Sequence, residues 1–599
     1  MNIEIIQNIT IGGSRINYLI SFSLQQKFNA HHEFQLRFNH DLLGSPGLIN
    51  LDGRRELLGK TLVATFGRAG APEQKFVGIV TEVSIAQSHG YHGVVVAKGC
   101  SPTILLERGE DLASFYNKTL LEVARIASKD IAGNDLEMLY KPTFTQPVKQ
   151  LIQYQESDFA FLNRLSTTYR EWFFFDGQRL VFGKPDKQEE INLVYGRDLQ
   201  TMDYGIHIEP LQVKQFAYDV QNNMILQGNT TGIGTGAPDL EYASHVANTV
   251  FSKRASQHNG TAVANNSELT AMVDKLDKGS SAGLLKVVGN SDHPGVGIGK
   301  IIDIAMSLRQ GSGFMTTSIG KFVVTAVSHE IDLDGTYKNY FEALPADTEQ
   351  LPVQQCHPPR PNALLAEVFD HADPLQMGRV RVKFMWQTSQ NDPTDWLRVM
   401  SPDAGQSNKL PKNRGMVFVP EKGDQVLIGF EDGNLHRPFV MGSLFHGKNG
   451  AGGRTENNHK SISTKSGHAL HFDDAAGITL TDKTDLNYIS IDGKERIAIR
   501  ADKHITLQAG NVMLILDGEQ DKIVLQAQSV EIRAEDKFSV SGDGKPTGMG
   551  RMAFARDFQL VSAQSVSLVG ESSLDINSAK VTIKGDQTAV FGNPVNINS

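Results

Sequence analysis

At 599 residues, 40% hydrophobic and 21% charged, the chain is too long for one core and implies three or four domains. Its net charge of −9 argues against a nucleic-acid binder, which carries a basic surplus. Two cysteines, Cys100 and Cys356, are too few for a disulfide framework and lack metal-ligand spacing, and no apolar run approaches the ~20 residues of a membrane helix.

The opening MNIEIIQNIT has no basic region, apolar run or cleavage site, so a cleaved signal is not expected. Up to about residue 100 the sequence alternates as strands at 18–20, 34–38, 62–64 and 76–80. Gly53, Gly59 and Gly70 punctuate them, which predicts an antiparallel barrel or sandwich. Thr119 is placed to cap a short helix with Leu120, Val123, Ala124 and Ala127 on one face. Ser157 is placed to cap a second, with Phe159, Leu162, Leu165 and Tyr169 as its buried stripe. The apolar run 172–175 then turns at Asp176-Gly177 into 180–182, a hairpin signal.

Residues 228–283 are rich in Gly, Ser, Asn and Thr around one amphipathic helix (Leu269, Met272, Val273, Leu276). Strands return at 301–304 and 322–324, and a turn at Asp334-Gly335 leads into 337–341. The proline-rich stretch 345–361 marks a domain boundary. Five short strands are expected between 364 and 446, at 378–384, 396–399, 416–420, 425–430 and 438–442, the pattern of an OB-fold barrel.

From 462 to 583 apolar anchors return at nearly constant spacing. Ile462, Leu470 and Ile478 lie eight apart, then Ile489, Ile497 and Ile505, then Leu514, Ile523, Val530 and Phe538 at steps of seven to nine. Past a glycine-rich stretch at 541–550, Phe558, Val566, Leu574 and Val581 resume the series. Most anchors open a period-two alternation, one dry face and one wet, with turn residues between, which reads as a β-helix or β-prism. Either one chain wraps three octets per rung, or three chains intertwine with one face each. The octets look alike, which favours three equivalent faces about a threefold axis. About fifteen layers at roughly 4.8 Å would make a needle on the order of 70 Å long.

Taken together, QYQESDFAFLNRL (153–165), VSHEIDLDGTYKNYFEALP (327–345), DPLQMGRVRVKFMW with DWLRV (373–399), VPEKGDQVLIGFEDG with RPFVMGSL (419–444) and SISTKSGHALHFDD (461–474) resemble VgrG, the trimeric spike of bacterial type VI secretion, and the hub and spike proteins of contractile phage tails. The resemblance implies a mainly β, multidomain chain: a barrel-like hub with a few helices at 1–350, a linker at 351–363, an OB-fold neck at 364–446, and a triple-stranded intertwined β-helix needle at 461–590 with its tip at 591–599. It implies a homotrimer docked on an Hcp-type tube. It also implies a PAAR-type cone or effectors on the tip, adaptor chaperones and baseplate proteins as partners, and export from the cytoplasm through the contractile apparatus. A related extracellular injector is the alternative setting. Ile489, Ile497, Ile505, Leu514, Ile523, Val530, Phe558, Val566 and Leu574 are the expected trimer core, and Phe591, Val595 and Ile597 the tip-binding residues. The 15-residue gap after the neck leaves no space for the lysozyme domain of some relatives, and the short ending suggests no trailing enzyme.

Motifs for chemistry fail on their spacing. The stretch 295–300 imitates a phosphate loop but has Pro294 where glycine is needed and Ile301 where Ser or Thr is needed; a glycine-rich turn feeding a strand accounts for it. Gly232, Gly234 and Gly236 lack dinucleotide spacing. His329-Glu330 lacks the second histidine of a zinc protease, and Asp332 and Asp334 with Gly335 fit a hairpin turn better than a calcium loop. His468 and His471 near Asp473 and Asp474 are the remaining metal or acid/base candidates, read instead as surface residues. No catalytic, cofactor or metal residue is therefore assigned. A β-helical polysaccharide-degrading enzyme would need paired carboxylates in a groove, which the octets do not offer. A passive fibre or adhesin would leave the differentiated hub unused.

Overall fold

The computed structural model describes residues 5–17, 19–39, 54–68, 73–88, 91–131, 136–234, 236–261, 263, 265–310, 313–352, 358–388, 392–450, 454–540, 552–570 and 573–592. Tyr18, Gly53, Gly70, Cys356, the glycine-rich stretch 541–550, Val595 and Ile597 lie outside them. The chain divides into two compact units, Met1–Gly452 and Gly453–Ser599. Strands dominate both, so the mainly β, multidomain expectation is borne out.

In the first unit, strands Ile301–Gln310, Glu190–Tyr195, Leu199–Ile206, Leu285–Ser291, Tyr337–Pro345 and Gly313–Asp332 pair in that order, and the last pairs again with the first. Closure into a barrel removes the open edges an isolated sheet would expose. The 20-residue strand Gly313–Asp332 then continues the sheet into Leu19–Lys27, Glu33–Asn39, Tyr91–Cys100, Gln74–Ser88, Thr61–Arg68 and Ile5–Ile11. His329 faces Asn339 of the barrel on one side and Leu24 of the other sheet on the opposite side. One strand therefore belongs to both halves of the hub.

Four α-helices are found among the described residues: α1 (Leu120–Ala127), α2 (Asp158–Tyr169), α3 (Pro238–Val250) and α4 (Asn266–Ala282). Thr119 and Glu122 form a reciprocal capping box on α1, and Leu120, Val123, Ala124 and Ala127 are its buried face, as expected. The Ser157 hydroxyl accepts from Ala160 N at 3.1 Å to start α2, and Phe159, Leu162, Leu165 and Tyr169 are buried. Helix α3 corrects the expectation of a single helix between 228 and 283. Its buried stripe is Leu240, Ala243, Ser244 and Ala247, of which Leu240 is the one large apolar side chain.

The neck holds a four-stranded sheet in the order Arg381–Phe384, Leu364–Asp370, Gln425–Phe430, Pro438–Ser443. Two of the five expected strands are corrected: the first is 396–399, which makes only bridges, Val380 to Leu397 and Val399 to Val440. The second is 416–420, which forms no strand; Met416, Val417 and Phe418 are exposed. Leu364–Asp370 replaces them as a strand the alternation did not single out.

Despite the prolines between them, neck and hub share a core. Ile152 and Tyr154 of the hub strand Val148–Glu156 pack among Ala366, Val368, Val382, Val426 and Ile428. Asp395 N donates to Gln150 Oε1 at 2.7 Å, Tyr116 N to Asp392 Oδ2 at 3.1 Å, and Lys118 pairs with Asp392 at 3.2 Å. Arg164 of α2 supports the same strand. It is 2% exposed, forks onto Glu156 at 2.7 and 2.8 Å, and donates to Ile152 O.

A second buried element joins the two halves of the hub. His329 Nε2 lies 3.1 Å from Gln26 Oε1, so that nitrogen must donate; its Nδ1 then accepts from Tyr337 OH at 2.7 Å. Gln26 Nε2 donates to His32 Nδ1 at 3.1 Å, and Asn339 Nδ2 donates to Tyr337 OH. These roles correspond to both rings neutral. Burial lowers both histidines to about 3, and His436 in the seam to about 4.

Two predictions follow from this packing. Ile152→Ala, a hub substitution, should cost about 2–5 kcal/mol and loosen the neck, read as faster proteolysis within 364–446 together with a lower denaturant midpoint. The histidines are neutral when folded but protonate near 6.5 when unfolded, so the unfolded chain takes up more protons below that pH. Stability should fall as pH drops from about 6.5 towards 4, by about 1.4 kcal/mol per pH unit for each histidine. Urea midpoints measured across that range check this, and His329→Gln should flatten the slope.

Candidate functional site

In the second unit the octets fold back on themselves. His459–Ser463, Ala469–Asp473, Gly477–Thr481, Tyr488–Ile491 and Ile497–Arg500 form one antiparallel meander, and His504–Ala509, Val512–Asp517 and Lys522–Gln526 a second. Turn chemistry explains the reversals. Asp473 Oδ1 accepts from Ala475 and Ala476 N, Asp492 Oδ1 from Lys494 and Arg496 N, and Asp517 Oδ1 from Glu519 and Gln520 N. Gly477 and Gly510 supply positive φ (+112° and +58°). Over 459–526 this is not the solitary coil of three octets per rung.

The register sorts the side chains. Ile462 faces Leu470, Leu470 faces Leu480, Leu480 faces Ile489, and Ile489 faces Ile499. Alongside, Phe472 faces Ile478, Ile478 faces Ile491, and Ile491 faces Ile497. Directly opposed residues share a face, so these nine apolar side chains lie on one side. The other side carries Ser461, His471, Thr479, Ser490 and Ala498. The second meander repeats the arrangement with Ile505, Leu507, Leu514, Leu516, Ile523 and Leu525 on one face.

That apolar face is open. Ile489 is 43% exposed, Ile497 69% and Ile523 71%; Ile505 and Leu514 are partly buried. Five of the expected core residues thus sit on the unpartnered faces of the two meanders. Val530, Phe558, Val566 and Leu574 are also exposed, but the strands expected around them are not formed: 527–540, 552–570 and 573–592 carry no strand. Between these later anchors the chain has few of the Asp-Gly type reversals that fold the earlier octets, and an octet that cannot double back finds no neighbour within its own chain. Of the expected tip residues, Phe591 is almost fully exposed, while Val595 and Ile597 lie outside the described residues.

The candidates for chemistry fall into structural roles. His471 stacks with His459 at 5.2 Å, and His459 Nδ1 lies 3.9 Å from Asp473 Oδ2. Asp473 is committed to its turn and to Arg454 (3.1 Å), and its backbone donors hold it below the usual carboxylate range. His468 donates its backbone N–H to Thr464. No His/Cys/Asp/Glu group with metal-holding geometry occurs among the described residues. Residues 295–300 form turns feeding Ile301–Gln310, and Gly335 (φ +77°) closes the hairpin beside Asp332 and Asp334. His329 belongs to the buried network, and Glu330 pairs with Lys338 at 3.0 Å. Sequence reasoning missed the hub–neck seam, because Ile152 and Tyr154 look like ordinary hub strand residues.

Comparison with known proteins agrees with this architecture. Residues 364–445 match the type VI secretion system/phage-baseplate injector OB domain, and residues 42–203 the phage tail baseplate hub. The spike protein VgrG5 of Pseudomonas aeruginosa is 26% identical over 346 residues, 50% of this chain but 40% of that protein. VgrG1a of the same organism is 21% identical over 492 residues, covering 75% of this chain and 71% of that one. A chain of the solved Francisella PdpA–VgrG complex (half-lidded) superposes with a TM-score of 0.50 at 9% identity, over 83% of this chain and 88% of that one, a likeness of fold. With matches to a baseplate hub and an injector OB domain and with spike relatives along its length, the chain is similar to the VgrG spike proteins and contractile-tail hubs.

Proposed function

We propose that three copies of the chain associate through the apolar faces of the C-terminal meanders and the octets that follow, building the rigid needle of a puncturing spike. The observation that carries this is the face of nine apolar side chains left open at 459–500 while its reverse is polar. Contiguous exposed apolar surface of this kind marks an interface. Three equivalent faces close a prism, and the octets at 527–590 then pair between chains. The spike relatives support this assembly. In this reading the hub caps an Hcp-type tube, and the residues about Phe591, Val595 and Ile597 receive a PAAR-type cone or effector. The protein works by shape, stiffness and docking rather than catalysis. Contraction of a sheath supplies the energy, and the same apparatus carries the protein out of the cell.

Two measurements test the reading. Ile505→Asp would bury three carboxylates about one axis, at several kcal/mol per ion. Light scattering after size exclusion should show the trimer lost, whereas Thr479→Asp, on the polar face, should leave the mass unchanged. An intact trimer for Ile505→Asp would reject the core assignment. Deleting 591–599 should abolish pull-down of the cone without changing the oligomeric mass; retained pull-down would remove the tip assignment.

A further inference from the structure

Between hub and neck, within the first unit, lies a cavity of about 430 Å³. The end of α2, the segment 258–261 and residues of α4 wall it on the hub side. Pro358 to Arg360 and the neck turn 432–437 close the rest. A direct bond, Asn434 Nδ2 to Gly260 O at 3.2 Å, already crosses this seam. The volume lies in the range of small-ligand sites.

Its charges do not balance. Arg164, Arg170, Arg360 and Arg437 line it, against a single carboxylate, Asp432. Arg164 is engaged by Glu156 at 2.7 Å, Arg437 faces Glu431 at 3.6 Å, and Asp432 lies 3.9 Å from His258. Among the described residues, neither Arg170 nor Arg360 has an acidic partner or an acceptor for its guanidinium. Arg170 follows α2 in a left-handed conformation (φ 59°) and is half-buried, so burial lowers its affinity for the proton. Arg360 lies along Gly433, whose positive φ (+70°) shapes the neck turn. Two unpaired guanidinium forks on one cavity are an unfilled demand for oxygen anions, because planar N–H pairs suit carboxylate and phosphate alike. Met272, Leu276, Pro358 and Pro359 supply an apolar wall beside them.

We propose that this seam cavity binds a small multivalent oxyanion, a phosphate- or polycarboxylate-bearing molecule, held by Arg170 of the hub and Arg360 of the segment entering the neck. Such a ligand touches both bodies and ties the neck to the hub. The inference is independent of the needle assembly.

Calorimetric titration of the full-length chain with pyrophosphate, and separately with citrate, in chloride buffer of matched ionic strength tests it. Saturable binding of at least one probe is expected, and the stronger probe separates a phosphate ligand from a carboxylate one. Losing one charge-assisted fork should weaken binding roughly ten- to a hundredfold. Arg170→Gln is the direct variant. Arg360→Ala, on an exposed segment the core does not need, is the second, with circular dichroism checking that both fold. Arg197→Ala, whose guanidinium pairs with Asp198 elsewhere, should bind as the unaltered chain does. No saturable binding of either probe, or affinity unchanged by both Arg170→Gln and Arg360→Ala, overturns the proposal.

Discussion

An isoleucine-rich sheet face has to be covered, and the C-terminal unit depends on that constraint. Each half-exposed anchor offers roughly 1 kcal/mol on burial, while association costs on the order of 4–15 kcal/mol. One meander alone therefore sits near break-even. The second meander carries Ile505, Leu514 and Ile523 on an apolar face of its own, and on the proposed assembly the later octets would add to it. On the proposed assembly, stability accrues by repetition rather than by any single strong contact. That suits a rod, since no layer can leave without exposing its neighbours.

The two halves of the octet region differ in what they bring to such an assembly. Residues 459–526 have carboxylates and glycines placed to reverse the chain, so their sheets form locally with their backbone already ordered. The octets beyond 526 have fewer of those reversals, and among the described residues there no strand is formed. On the proposed assembly, inter-chain pairing would offset the entropy of ordering their backbone. Preformed faces would set the register, and the later octets would zip from it.

How far the chain discloses itself in sequence depends on whether the signal is local. Thr119 with Glu122, and Ser157 before Phe159, announce their helices because a cap and its stripe lie within one or two turns. The Asp176-Gly177 hairpin is legible for the same reason. Helix α3 is not, because Ala243, Ser244 and Ala247 bury a stripe of small residues against the barrel. In the neck, 416–420 alternates as a strand should but joins no sheet, whereas Leu364–Asp370 is fixed by neighbours on both sides, Arg381–Phe384 and Gln425–Phe430. The octet anchors are legible because period two and period eight coincide. Which of them pair within the chain is decided by turn residues, a weaker signal.

The hub–neck seam is the least legible feature of the chain. Prolines at 345–361 mark a boundary in the chain, yet hub and neck residues share one core. Ile152 and Tyr154 are buried in the neck's core, and Arg164, itself buried, fixes their strand to α2. The strand Gly313–Asp332 in turn couples both hub sheets through the neutral His329–Gln26–His32 chain. Packed cores of this kind resist shear because every displacement opens a void or strands a polar group. The joint then rests on packed side chains, and Arg360 at its edge is left without an acidic partner among the described residues.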